Sequence, residues 1–203
     1  MRKNQLKEKL LVSLLSSAVL LSCTREKGHM DVTSPAYHIA QSENVIIPQA
    51  IALPQNLPNG NSTVATFYAI GVQKYKAQQI PGGNPLAYQW VSTAPEADLY
   101  DSTNTKVGTL SAGPAWQLSP ADSIFGQNFN PPRTVPSPDP ESIDWLLLMP
   151  QIGKMSTGVF ANVNYVQRID THGGKPPGTP PVSADQTINV GYAAVYRFSM
   201  RNP

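Results

Sequence analysis

Apolar and polar residues alternate with a period of two through much of this chain. Over residues 187–200, Ile188, Val190, Tyr192, Ala194, Tyr196 and Phe198 share one face of an extended segment, which predicts a strand with one side in a core. Residues 63–77 are apolar in both phases, with Phe67, Ala69 and Gly71 on one and Tyr68, Ile70 and Val72 on the other, until Lys74 and Lys76. That pattern predicts a central strand covered on both sides. Residues 157–169 alternate through Val159, Ala161, Val163 and Tyr165, and residues 86–91 through Leu86, Tyr88 and Trp90. Residues 97–101 and 106–111 flank Ser102-Thr103-Asn104-Thr105, a polar connection suited to a hairpin because Asn104 tolerates a left-handed backbone. Residues 115–118 and 123–129 suggest a further pair. Trp145-Leu146-Leu147-Leu148 is wholly apolar, as in a strand buried on both faces or a short core helix. Residues 45–51 contain Pro48 and read as an edge segment at best.

No stretch sustains a 3.6-residue apolar stripe over three turns, so the expected class is all-β. Seven to nine short antiparallel strands predict a β-sandwich or a partly closed barrel, and the pattern does not choose between them. The punctuation agrees, since 20 Pro and 14 Gly among 203 residues mark a turn-rich folded chain. One cluster reads 81–85 as a turn, and Pro95 suggests another. Pro131, Pro132, Pro136, Pro138 and Pro140 make residues 130–141 an expected extended loop, because proline cannot donate to a ladder.

The N-terminus departs from this pattern. Arg2, Lys3, Lys7 and Lys9 precede a run of Leu, Val, Ala and Ser over residues 10–21, which is too short to span a bilayer and has the form of a secretory signal peptide. It ends Leu20-Leu21-Ser22-Cys23 and resembles the bacterial lipoprotein signal, in which the cysteine is acylated and becomes the mature N-terminus. Cys23 is the only cysteine. The resemblance implies lipid attachment at Cys23. Two or three acyl chains would make it a lasting membrane anchor. Thr24, rather than Asp, follows the cysteine and resembles the outer-membrane sorting pattern, so the expected address is the bacterial outer membrane, on its periplasmic or outer side. The organisation is then 1–22 signal peptide, 23–43 lipidated N-terminus and flexible tether, and 44–203 a single β domain. Twenty tether residues reach at most about 65–70 Å. Gly28, Ser34 and Pro35 are expected to break any helix there, and His29 and His38 read as exposed tether residues.

Charge narrows the partners. After Cys23 there are 11 Lys/Arg against 12 Asp/Glu, a net −1, so the domain has no basic surplus for nucleic acid.

Several short stretches resemble domain of unknown function family 3455, a group of exported bacterial and fungal proteins. They are Gly71-Val72-Gln73 with Tyr75, the segment Ala94-Pro95-Glu96-Ala97-Asp98-Leu99-Tyr100-Asp101, Ala112-Gly113-Pro114 with Trp116, the Trp145 run, Val166-Gln167-Arg168, Gly173-Gly174 and Tyr192-Ala193 with Tyr196. The order of the stretches carries the resemblance, which implies an exported domain and no particular reaction. The family pattern also has cysteines near Ala77 and near residues 179–181, and this chain lacks both.

The candidate site is the strand-end polar segment Gln167, Arg168 and His172, joined by Glu96 and Asp98 and by Trp116 and Trp145 as ring platforms. Arg168 suits a carboxylate, and His172 is a residue type that titrates near neutrality. Each has a plainer alternative: an Arg168 bridge to Glu96 or Asp98, and tryptophans in the core. One histidine in the domain and no cysteine argue against a metal. No nucleophile elbow, phosphate loop or dinucleotide fingerprint is present, so no cofactor is expected. The expected function is a lipid-anchored binding module for a small molecule, glycan or protein. The alternatives are an envelope hydrolase using Glu96, Arg168 and His172, and a purely structural envelope protein.

Overall fold

The computed structural model describes residues 31–82 and 87–203. The signal peptide, Cys23, His29 and most of the 81–85 turn lie outside the described residues. Eight antiparallel strands form one sheet: β1 (Asn61–Gln79), β2 (Tyr88–Tyr100), β3 (Lys106–Ser111), β4 (Ala115–Ser119), β5 (Asp122–Val135), β6 (Trp145–Pro150), β7 (Tyr165–Gly173) and β8 (Thr187–Arg201). Each strand pairs with the next, and β8 returns to β1, so the sheet closes into a ring. The ring is irregular, because its strands run from 5 to 19 residues and several ladders slip register. The class is as expected, with closure in place of a sandwich. Only some of the strands are short.

Alternation sorts each strand between two cores. Phe67 and Ala69 of β1, Leu99 of β2, Trp116 of β4, Val166 of β7 and Tyr196 and Phe198 of β8 meet inside the ring. Phe160, from a short 3-10 turn Gly158–Phe160, packs against Phe67 and Phe198 at ring-centroid distances of 6.4 and 4.8 Å and closes one end. The opposite phase, Tyr68, Trp145, Leu147, Tyr165, Ile169 and Val195, forms a second core on the outer wall. Burial, with the Asp170 carboxylate adding to it, pushes the Tyr68 phenol up to about 12.

Residues N-terminal to the ring cover that outer core, which corrects the tether expectation. Pro35–Ser42 is a helix, α1. Ser34 and Pro35 start it instead of breaking it: the Ser34 hydroxyl accepts from the Tyr37 N–H, and proline at the first helical position forfeits only an N–H that would have no helical partner. Residues 45–51 are no edge strand. They lie as a strap with Ile51 fully buried. A strap without a ladder must place its carbonyls elsewhere. Arg133 Nε donates to Ala50 O and Nη2 to Ala52 O, Gln167 Nε2 donates to Ile51 O, and Arg197 Nη2 donates to Ser42 O, all at 2.8 Å.

Three further expectations change. β5 runs through Pro131 and Pro132, which sit in a register break between Asn128 and Arg133, so the loop begins only after Val135. β2 runs through Pro95, which precedes the residues that pair with β3 and so takes no N–H from that ladder. β7 starts at Tyr165, with the 3-10 turn occupying the early part of the expected strand.

The Ala77 region and Thr179 do come together. Trp90 stands opposite Ala77, and its indole N–H donates to Thr179 O at 3.0 Å. The bond therefore ties Thr179 to the β2 residue that pairs with Ala77.

Candidate functional site

The apolar filling of the ring stops short of one end. Along the inward phase of β1, Phe67 and Ala69 give way to Gly71, Gln73 and Tyr75. On β7, Val166 gives way to Arg168. Two adjoining cavities open there, of about 410 and 510 Å³, sharing Gln73, Ser92, Asn128, Leu146 and Arg168. Tyr75, Asp144 and Lys175 line the first; Trp116, Leu148 and Tyr196 line the second. Eight-stranded barrels leave room for side chains or one small ligand, and barrel mouths are a usual place for ligand sites.

The polar groups of this mouth are held in place. Arg168 donates from Nε (3.1 Å) and Nη2 (2.8 Å) to the same carbonyl, Asp144 O. Among the described residues no carboxylate pairs with it. Gln73, buried, donates from Nε2 to Ser92 Oγ at 2.5 Å. The Tyr75 hydroxyl donates to Gly174 O at 2.6 Å. Lys175 Nζ donates to Pro140 O at 2.6 Å. Burial raises the Tyr75 phenol above its ordinary pKa, with the Arg168 charge opposing the rise. Tyr192 is raised further, by burial and by Tyr196, whose hydroxyl lies 3.5 Å away. Both phenols keep their protons at neutral pH. Trp116 is fully buried, and its indole N–H has no partner among the described residues. The mouth thus combines an arginine with no carboxylate partner among the described residues, hydrogen-bonding groups and an apolar wall backed by Trp116 and Tyr196.

The structure divides the residues singled out from sequence. Arg168 and Trp116 line the mouth. Trp145 is buried in the outer core, its N–H without a partner among the described residues, and Gln167 is spent on the strap carbonyl. Glu96 and Asp98 share a face, and it is the outer one: Glu96 pairs with Lys74, and Asp98 with Lys106 at 2.7 Å. The alternative bridge from Arg168 to either carboxylate is therefore not formed. His172 is exposed on the far side of the wall from Arg168, beside Asp170. Glu96, Arg168 and His172 do not converge, so the constellation expected for a hydrolase is not assembled.

Gln73, Ser92, Asn128, Tyr75 and Lys175 were missed. One signal was available: Gln73 is a polar residue on the phase of Phe67, Ala69 and Gly71.

Comparison with known proteins gives one family. A family described as "Protein of unknown function (DUF3455)" matches residues 58–199. No curated protein and no solved structure matches.

Proposed function

Since the chain belongs to the DUF3455 family, whose description assigns no reaction, we propose from the geometry of the mouth that this is a small-molecule binding module, held to a bacterial envelope by a lipid on Cys23. The observation that carries the reading is the Arg168 guanidinium in the cavity wall with no carboxylate partner among the described residues. A partly buried cation costs desolvation that an anion can repay. The ligand class is a compact amphiphile, with a carboxylate or phosphate group at Arg168 and an apolar body over Leu146, on the wall backed by the buried Trp116 and Tyr196. Asp144 in the same cavity works against a second negative charge, which favours a monoanion.

The anionic dye anilinonaphthalene sulfonate tests the site. The full chain, purified in detergent, should bind it, and Arg168→Gln should weaken binding about tenfold or more. Charge-assisted hydrogen bonds contribute roughly 1.5–3 kcal/mol, which is about ten- to a hundredfold in affinity. Native mass spectrometry of the same material should show one co-purified small anion that Arg168→Gln loses. Equal dye affinity in both proteins, with no bound anion, would remove the mouth from consideration.

The anchor has its own test. Cys23→Ser protein is expected in the soluble fraction and wild type in the outer membrane. The mutant fractionating with membranes would overturn the attachment.

A further inference from the structure

On the outer wall, away from the mouth, three metal-ligating side chains from two elements meet. They are His38 of α1 and Asp170 and His172 of β7. We propose that they bind a divalent transition-metal ion of the zinc class and so fasten α1 to the ring.

The backbone of β7 is shaped to gather them. In a regular strand Asp170 and His172 would continue the inward phase of Val166 and Arg168. A register break between Ile169 and His172 turns them outward, and His172 pairs with Ala193 on the same outer face as Ile169 with Val195. Asp170 takes φ +47, a left-handed conformation uncommon outside glycine, while Thr171 turns inward and donates to Ile143 O at 2.6 Å. Bulges of this kind re-aim side chains beside functional sites.

Helix α1 supplies the third ligand in a fixed pose. The His38 ring stacks on Tyr68 at 4.4 Å with 1° between planes. His38 Nδ1 lies 3.2 Å from Asp170 Oδ2, and His172 Nε2 lies 3.3 Å from Asp170 Oδ1. Charge-assisted hydrogen bonds prefer about 2.7–2.9 Å. Tetrahedral zinc with bonds of about 2.0–2.1 Å puts neighbouring ligand atoms roughly 3.3–3.4 Å apart, and each imidazole lies about that far from one oxygen of Asp170, His38 from Oδ2 and His172 from Oδ1. All the ligand atoms fall within 4.8 Å of one another, and His172, with a side chain 49% exposed, can rotate to bring the imidazoles closer. Two imidazoles and one carboxylate with open positions form a set that suits zinc and related ions and discriminates against magnesium. His38 lies where the sequence predicts a tether, and it is the docking of α1 that brings it to Asp170 and His172.

The test is equilibrium dialysis of the full chain, purified without a polyhistidine tag, against Zn²⁺ and, separately, Mg²⁺. Wild type should take up one zinc per chain and no magnesium. His172→Ala and His38→Ala should each weaken zinc binding by at least about tenfold, the loss that even outer-shell changes cause at metal sites. Zinc should raise the thermal midpoint of wild type and leave that of both variants unchanged. His172 is half exposed, so its substitution leaves the fold testable by circular dichroism even where His38→Ala loosens α1. No zinc uptake, uptake unchanged in His172→Ala, or equal uptake of magnesium would overturn the proposal.

Discussion

Gly71→Ala is expected to abolish folding, whereas Gly191→Ala, on the neighbouring strand, is expected to be silent. A methyl group at Gly71 would sit 2.1 Å from Glu96 O and 2.5 Å from Ala97 Cα, both backbone atoms of β2. No rotamer change can relieve that contact, so β1 and β2 must part where Gly71 pairs with Ala97. Losses above about 4–5 kcal/mol are rare and come from clashes of this kind, and they approach the whole stability of a domain, about 5–15 kcal/mol. At Gly191 an added methyl meets nothing within 4 Å. There, restricting the unfolded chain can add about 0.4–1 kcal/mol. Urea unfolding of the two variants beside wild type makes the comparison. A Gly71→Ala protein within 1 kcal/mol of wild type would show that the wall spreads at low cost.

Phe160→Ala is expected to lose about 3–5 kcal/mol, the usual cost of removing a fully buried phenylalanine. Phe160 is 0% exposed and enters the ring from a turn rather than a strand, so little backbone can follow to refill the space. Its neighbours Phe67 and Phe198 belong to different strands, and the hole would uncouple them. The urea midpoint should fall with the slope unchanged. A loss below about 1 kcal/mol would mean that the turn covers the ring without sealing it.

Strand content was legible wherever alternation was uninterrupted. β8 and β1 appear to within two residues at each end, and the hairpin at Asn104 follows from its flanking runs and its turn chemistry. There Asn104 takes φ +64, and Asp101 Oδ1 accepts from Thr103 N at 2.8 Å and Thr105 N at 3.1 Å. What failed was local rules overridden by packing. Pro35 read as a breaker because its partner Ser34 was not weighed as a cap. Pro131 and Pro132 read as a loop because a strand can absorb two prolines only inside a bulge, which period-two counting does not register. The same blindness split the site. Arg168 and His172 lie four residues apart and were read as one polar cluster, yet the bulge at Asp170 sends them to opposite sides of the wall. Ring closure was equally hidden, since pairing of β1 with β8 depends on the accumulated twist of the whole sheet.

Docking of α1 and the strap also sets a short leash. Only the ten residues 24–33 separate Cys23 from the cap at Ser34, so on the proposed lipid attachment the standoff from the bilayer is at most about 33–36 Å. The leash leaves the body beside the β2–β3 turn, where Ala36 N donates to Asn104 Oδ1 at 2.8 Å. That turn follows Tyr100, which faces Tyr68, whereas the mouth lies near Tyr75 and Ser92, seven residues and about 23 Å further along the wall. A tilted, closely held body would present its opening away from the lipid surface, toward solutes arriving from the aqueous side.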